Sequence, residues 1–176
     1  MIVVEVLVEE PSAQEAMRHL LPRIIGTRAG FKVINMRSKS RLLRDLPARL
    51  RAYRKRIEKV DDLLLVVLVD HDKVYCEQLK RKLERMAREA KLPTKTLPDT
   101  GGRYLVVNRI VVEELESWFI GDTAALRQAF PSLPNQFPGN FRQPDNGGTW
   151  ERLHRFLKRH GIYRGGFLKI EAARKI

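Results

Sequence analysis

Residues 63–69, LLLVVLV, constrain the fold more than any other stretch. A seven-residue aliphatic run with no polar alternation reads as a strand buried on both faces. Such strands belong to parallel sheets covered by helices on each side. The run stops abruptly in Asp70-His71-Asp72, so two carboxylates stand at the mouth of the strand.

The remaining pattern agrees with that frame. Residues 2–8 (IVVEVLV) and 31–35 (FKVIN) read as strands, and 104–112 (YLVVNRIVV) as a fourth, interrupted by Asn108-Arg109. Between them, residues 13–25 and 73–91 carry apolar side chains at helical spacing. Pro11-Ser12 opens the first helix, with Glu15 placed as in a capping box. The stretch 37–59 is amphipathic: Leu42, Leu46, Leu50, Tyr53 and Ile57 form one face, with a start or bend expected at Pro47. The order strand–helix–strand–helix–strand–helix–strand predicts an α/β domain with a mainly parallel central sheet and helices on both faces. After it come a segment from Glu113 to Gly121, a short helix capped by Asp122 or Thr123, an irregular Pro/Asn/Gly-rich loop at 131–148, and a helix capped by Thr149. We therefore read residues 1–122 as the core and 123–176 as a mostly helical extension of the same domain.

Charge narrows the function. The 176 residues hold 34 Lys plus Arg against 21 Asp plus Glu, a net +13. That is the electrostatic footprint of a nucleic-acid binder. Residues 37–59 concentrate it: Arg41, Arg44, Arg51 and Arg54 lie in a helix with almost no acids, and are candidate phosphate contacts. No window approaches a membrane span, and MIVVEVLVEE lacks a basic n-region, so a cytoplasmic protein is expected. One cysteine excludes an internal disulfide framework.

In a doubly wound sheet, ligands bind beyond the carboxyl ends of the strands, where the strand order reverses. Glu9 follows the first strand, Asp70 and Asp72 the third, and Glu113, Glu114 and Glu116 the fourth. If the first and third strands are neighbours, Glu9 meets the aspartates. Converging carboxylates repel unless a proton or a cation intervenes. Oxygen-only ligands suit Mg²⁺ or Mn²⁺, and a metal there would activate a phosphodiester gathered by the basic surface. His71 reads as structural. His19, His154 and His160 have no evident carboxylate partner, Ser12 and Cys76 no activating base, and Trp118 and Phe119 read as core.

A glutamate closing the first strand ("VEEPSAQEAM") and a DxD closing a later one resemble the Toprim domain of topoisomerases, primases and overcoming-lysogenization-defect nucleases. In a Toprim domain a Gly often follows that glutamate; here Glu10 does. More closely, "SKSRLLRDLPARLRAY", "LVDHDKVYCEQLK", "NRIVVEELESWFIGD", "RQPDNGGTWERL" and "GGFLKIEAARKI" resemble a bacterial family of uncharacterised Toprim-like proteins. The resemblance implies a Rossmann-like Toprim core, Mg²⁺-dependent nuclease activity on DNA or RNA, and an ATPase partner in phage defence. It places Glu9, Asp70 and Asp72 in the Toprim acid positions, with Glu114 as a further catalytic acid and Glu116 next. Lys39 and Arg109 match family positions and become candidates for phosphate contact. The family pattern runs on past "ARKI", so the extension is expected to be short of its last element. Two rivals stand beside the nuclease. One is a non-catalytic nucleic-acid- or partner-binding subunit. The other is a phosphotransferase of the haloacid dehalogenase type, whose DxD follows the first core strand rather than the third.

Overall fold

A computed structural model describes residues 2–57, 63–71, 75–112, 114–143, 148–163 and 169–175. Four strands, β1 (Val3–Val8), β2 (Gly30–Asn35), β3 (Leu63–Asp70) and β4 (Val106–Val111), form one sheet in the order β2-β1-β3-β4. Every pairing is parallel, with Val6 opposite Val33 and Val66, and Val67 opposite Asn108. This is the parallel, helix-covered α/β sheet expected from the aliphatic run, and it is consistent with the Rossmann-like core that the resemblance implies.

Helices α1 (Pro11–Ile25), α2 (Lys39–Ile57) and α3 (Cys76–Glu89) connect the strands. Beyond β4 come α4 (Glu116–Gly121), α5 (Thr123–Ala129), a 3-10 turn at Gly139–Arg142, α6 (Thr149–Arg159) and α7 (Lys169–Lys175). The strand alternation sorts these helices into two layers. Leu65, Val67 and Val69 of β3 pack with Leu42, Leu46 and Leu50 of α2 and Leu79 and Leu83 of α3. On the opposite face Val4, Val6 and Val8 of β1 and Leu68 of β3 pack with Ala16 and Met17 of α1, Leu115, Leu126 and Leu153. Both faces of β3 are thus covered, which is why its sequence lacks polar alternation.

The buried face of α2 is the one its spacing predicts: Leu42, Leu46, Leu50, Tyr53 and Ile57. Helix α2 begins at Lys39 and continues through Pro47 rather than starting there, and α1 likewise continues through Pro22. Asn108 and Arg109 do not interrupt β4. Asn108 is buried and donates to Glu84 Oε1 at 3.0 Å, while Arg109 is exposed on this edge strand.

Several local expectations are corrected. The N-cap of α1 is Glu10, in extended backbone, and Pro11 takes the first helical position, where its missing N–H costs nothing. Ser12 is therefore inside the helix and donates to Glu10 Oε1 at 2.6 Å instead of forming a capping box. Glu15 turns to His19 (3.3 Å) and to Arg174 of α7 (2.9 Å), so His19 does have a carboxylate partner. Thr149 is the first residue of α6, and Gly148, at φ +60°, precedes it in the left-handed region that Gly tolerates best. Asp122 caps α5, accepting from the Ala125 N–H at 2.9 Å. Trp118 is largely exposed while Phe119 is core, because a helical turn sends the two in different directions. Among the described residues no helix is long and apolar enough to cross a membrane.

Candidate acidic site at the carboxyl edge of the sheet

The chain leaves β1 for β2 on one side and returns from β2 to β3 on the other. The strand order therefore reverses between β1 and β3, and a crevice opens at their carboxyl ends. Glu9 and Asp70 end these two adjacent strands. Glu9 is nearly buried, and its Oε1 accepts the Asp70 backbone N–H at 2.5 Å. The neighbouring His71 N–H bonds to Val111 O at 2.9 Å, which continues the β3–β4 ladder past Asp70. The expected meeting of Glu9 with the third strand is present, through the backbone of Asp70. Asp72 and Glu113 lie outside the described residues.

Lys39 reaches the same place from the start of α2. Its Nζ donates to Asp70 O at 2.5 Å and to His71 O at 3.2 Å. A cation beside the carbonyls that end a strand ties α2 to the mouth of β3. In this geometry Lys39 holds the backbone that presents the acids.

A second acidic group forms at the same edge around a residue that no local pattern had singled out. Lys169, opening α7, lies 3.4 Å from Glu116 Oε1, 3.6 Å from Glu114 Oε2 and 3.8 Å from Glu10 Oε1. Its ammonium stands over the Trp150 ring, 5.1 Å from the centroid. Glu114 Oε1 in turn accepts the Trp150 N–H at 3.0 Å, which anchors the start of α6. Glu116 has no exposed surface, and among the described residues neither of its carboxylate oxygens meets a donor in hydrogen-bond geometry. Burial pushes its carboxyl up to about 7, against the pull of Lys169; the Glu10 and Glu114 charges push the same way as burial. Burial works against the Lys169 ammonium too, yet its pKa is raised, because Glu116, Glu10 and Glu114 face it. Lys169 escaped the sequence reading, and Glu10 was noted there only beside Glu9, because their meeting is tertiary. The available hint was a lone Lys inside the apolar run FLKI.

The remaining predicted residues are dispersed. Arg41 and Arg44 pair with Asp45 at 3.5 and 2.9 Å, Arg51 is exposed on α2, and Arg54 donates to Lys91 O at 3.4 Å. Arg109 is on the edge strand β4. The described donors at the edge are carboxylate oxygens, a set that fits a hard divalent cation. Among the described residues no group of three or more His, Cys, Asp or Glu side chains is placed to hold a metal ion.

The geometry defines a doubly wound α/β protein with acids gathered at its topological switch point. The chain belongs to the family described as "Domain of unknown function (DUF4276)", which matches residues 8–176. Comparison with curated proteins and with solved structures finds no match.

Proposed function

We propose that the chain is a Mg²⁺- or Mn²⁺-dependent nuclease of Toprim type. It would act on DNA or RNA in the cytoplasm, with an ATPase as its partner in phage defence. The observation that carries the reading is the meeting of Glu9 and Asp70 at the switch point between β1 and β3. A crevice of that kind is where parallel sheets bind ligands, and carboxylates are the donors Mg²⁺ takes. Glu9 and Asp70, with Asp72, are the residues that would hold the ion. A bound divalent ion supplies Lewis acidity and lowers the pKa of a coordinated water.

The chain's own residues supply the rest. Lys39 fixes the strand end that carries Asp70. Of the further acids, Glu114 is part-exposed and is the one that would serve as general base, while Glu116 is enclosed beside Lys169. Lys169 offsets the carboxylates of Glu10, Glu114 and Glu116, and so lowers the repulsion that an approaching phosphate meets. The basic face of α2, with Arg51 exposed, draws in the polyanion.

The test is incubation of the protein with single-stranded DNA, duplex DNA and RNA in Mg²⁺ or Mn²⁺. Cleavage that falls at least ~100-fold in Asp70→Ala supports the reading. Cleavage unchanged in that variant overturns it. One observation favours a second reading, a non-catalytic nucleic-acid- or partner-binding subunit: Lys169 already sets a positive charge among three of the edge acids. That reading expects salt-sensitive binding that needs no divalent ion, undiminished in Glu9→Ala and Asp70→Ala, with no cleavage in any of them.

A further inference from the structure

The opposite end of the sheet holds a cleft of about 550 Å³, within the range of small-ligand pockets. It lies where α2 and α3 end and β4 begins, far along the strands from Glu9 and Asp70. Its floor is apolar, made by Ile57, Leu92, Pro93 and Leu105, with the exposed Leu97 at the lip. Four cations line it: Arg54, Arg88, Lys91 and Arg103. Its two acids are already engaged. Glu84 accepts Lys80, Thr94 and Asn108, and Asp99 accepts the backbone N–H groups of Gly101 and Arg103 at 2.9 and 2.8 Å.

Cations near a helix C-terminus offset its dipole, which accounts for Arg54 and Arg88. It accounts neither for Arg103, on a loop, nor for the backbone of Lys91. Helix α3 ends in a Schellman motif: the Leu92 N–H bonds to Ala87 O at 3.0 Å and the Lys91 N–H to Arg88 O at 2.9 Å. The pivotal residue of that motif adopts the left-handed conformation, and Gly is the residue it favours. Here Lys91 holds it, at φ +56°. A strained backbone that carries a cation into a cleft is a feature for which function is a physical reason.

We propose that this cleft binds a nucleoside phosphate. The cations take the phosphoryl oxygens. The apolar floor takes the base, and the Arg guanidinium planes are suited to stack on it. A fatty carboxylate would cover the floor but has no planar group for a guanidinium to stack on.

The experiment is calorimetric titration of the intact chain with AMP, ATP, adenosine and inorganic phosphate. AMP and ATP are expected to bind at one saturable site, with adenosine and phosphate each at least ~10-fold weaker, since each fills half of it. Lys91→Gly relieves the backbone strain, so its unfolding temperature is expected to stay level or rise. It should nevertheless bind AMP at least ~10-fold more weakly, as should Arg88→Gln. That combination separates a ligand contact from a folding defect. Arg127→Gln, on α5, should bind as wild type. Asp70→Asn should keep nucleotide binding whatever it does to cleavage, so the cleft and the carboxyl edge can fail separately. The proposal is overturned by the absence of saturable binding, or by equal binding of AMP to Lys91→Gly and wild type. Adenosine or phosphate matching AMP would overturn it, as would loss of binding in Asp70→Asn, which would move the nucleotide to the other end of the sheet.

Discussion

Lys169 and Glu116 meet across 3.4 Å at a carboxylate with no exposed surface. Burial and the two neighbouring acids hold the Glu116 carboxyl near 7 even with the ammonium beside it. A folded pKa raised above the ordinary 4.5 contributes stability that is fully present below that value. The contribution is lost as pH rises through the folded value. Wild type should therefore lose up to ~3 kcal/mol from this group between acid and neutral pH. Glu116→Gln should flatten the slope. Thermal unfolding at closely spaced pH values checks it, and parallel slopes in the two proteins would rule it out.

Removing the cation should hurt more than removing the acid. Lys169→Met leaves Glu116 buried with Glu10 and Glu114 and, among the described residues, no compensating charge. Breaking one partner of a buried pair costs ~3–5 kcal/mol. The loss should be largest above neutral pH and shrink in acid, where Glu116 is protonated. Urea unfolding at both extremes measures it.

The other face of the sheet carries a pair of a different kind. Glu5 is buried, yet it accepts the Tyr53 hydroxyl at 2.7 Å and pairs with Arg56. Burial alone would raise its carboxyl; the Tyr53 and Arg56 hydrogen bonds outweigh that and lower it. Stability from a depressed carboxyl is present above 4.5 and lost as pH falls through the folded value. Tyr53→Phe removes one bond to a charged acceptor, so it should cost ~1.5–3 kcal/mol at neutral pH. The gap to wild type should narrow in acid. A constant gap at all pH values would show that the hydroxyl does not act through Glu5.

If α2 tracks a phosphate backbone, its arginines should not contribute equally. Arg41 and Arg44 share Asp45, while Arg51 stands exposed. Arg51→Gln should lower the slope of log affinity against log salt by ~0.7–0.9 for nucleic acid. Arg44→Gln should lower it less. Fluorescence anisotropy over a salt series reads both.

The sheet was legible because its signals are local. A strand covered on both faces favours an aliphatic run such as that of β3, and an amphipathic helix repeats every three or four residues. Hence β3 and the buried face of α2 were expected residue by residue. Glu9 and Asp70 were legible as a pair because topology alone brings the ends of β1 and β3 together. Lys169, Glu10 and Trp150 were not, since their association depends on where α6 and α7 fold back, and nothing in residues 123–176 repeats with a period that fixes this. Capping failed for a related reason. Glu15 fits a capping box by spacing, but the helix begins at Pro11 with Glu10 as its N-cap, and Glu15 turns instead to Arg174 on a distant helix.

The ion pair between Arg174 and Glu15 joins residues 159 apart in the chain, and Lys169 reaches back to Glu10 over the same interval. Contacts of such separation close late, after local structure has formed. During synthesis, β1 and α1 emerge long before α7 exists. The carboxyl edge therefore stays without its lysine until translation has passed that helix, and an activity depending on Lys169 would be silent on the nascent chain. Synthesis of α7 would itself be the switch.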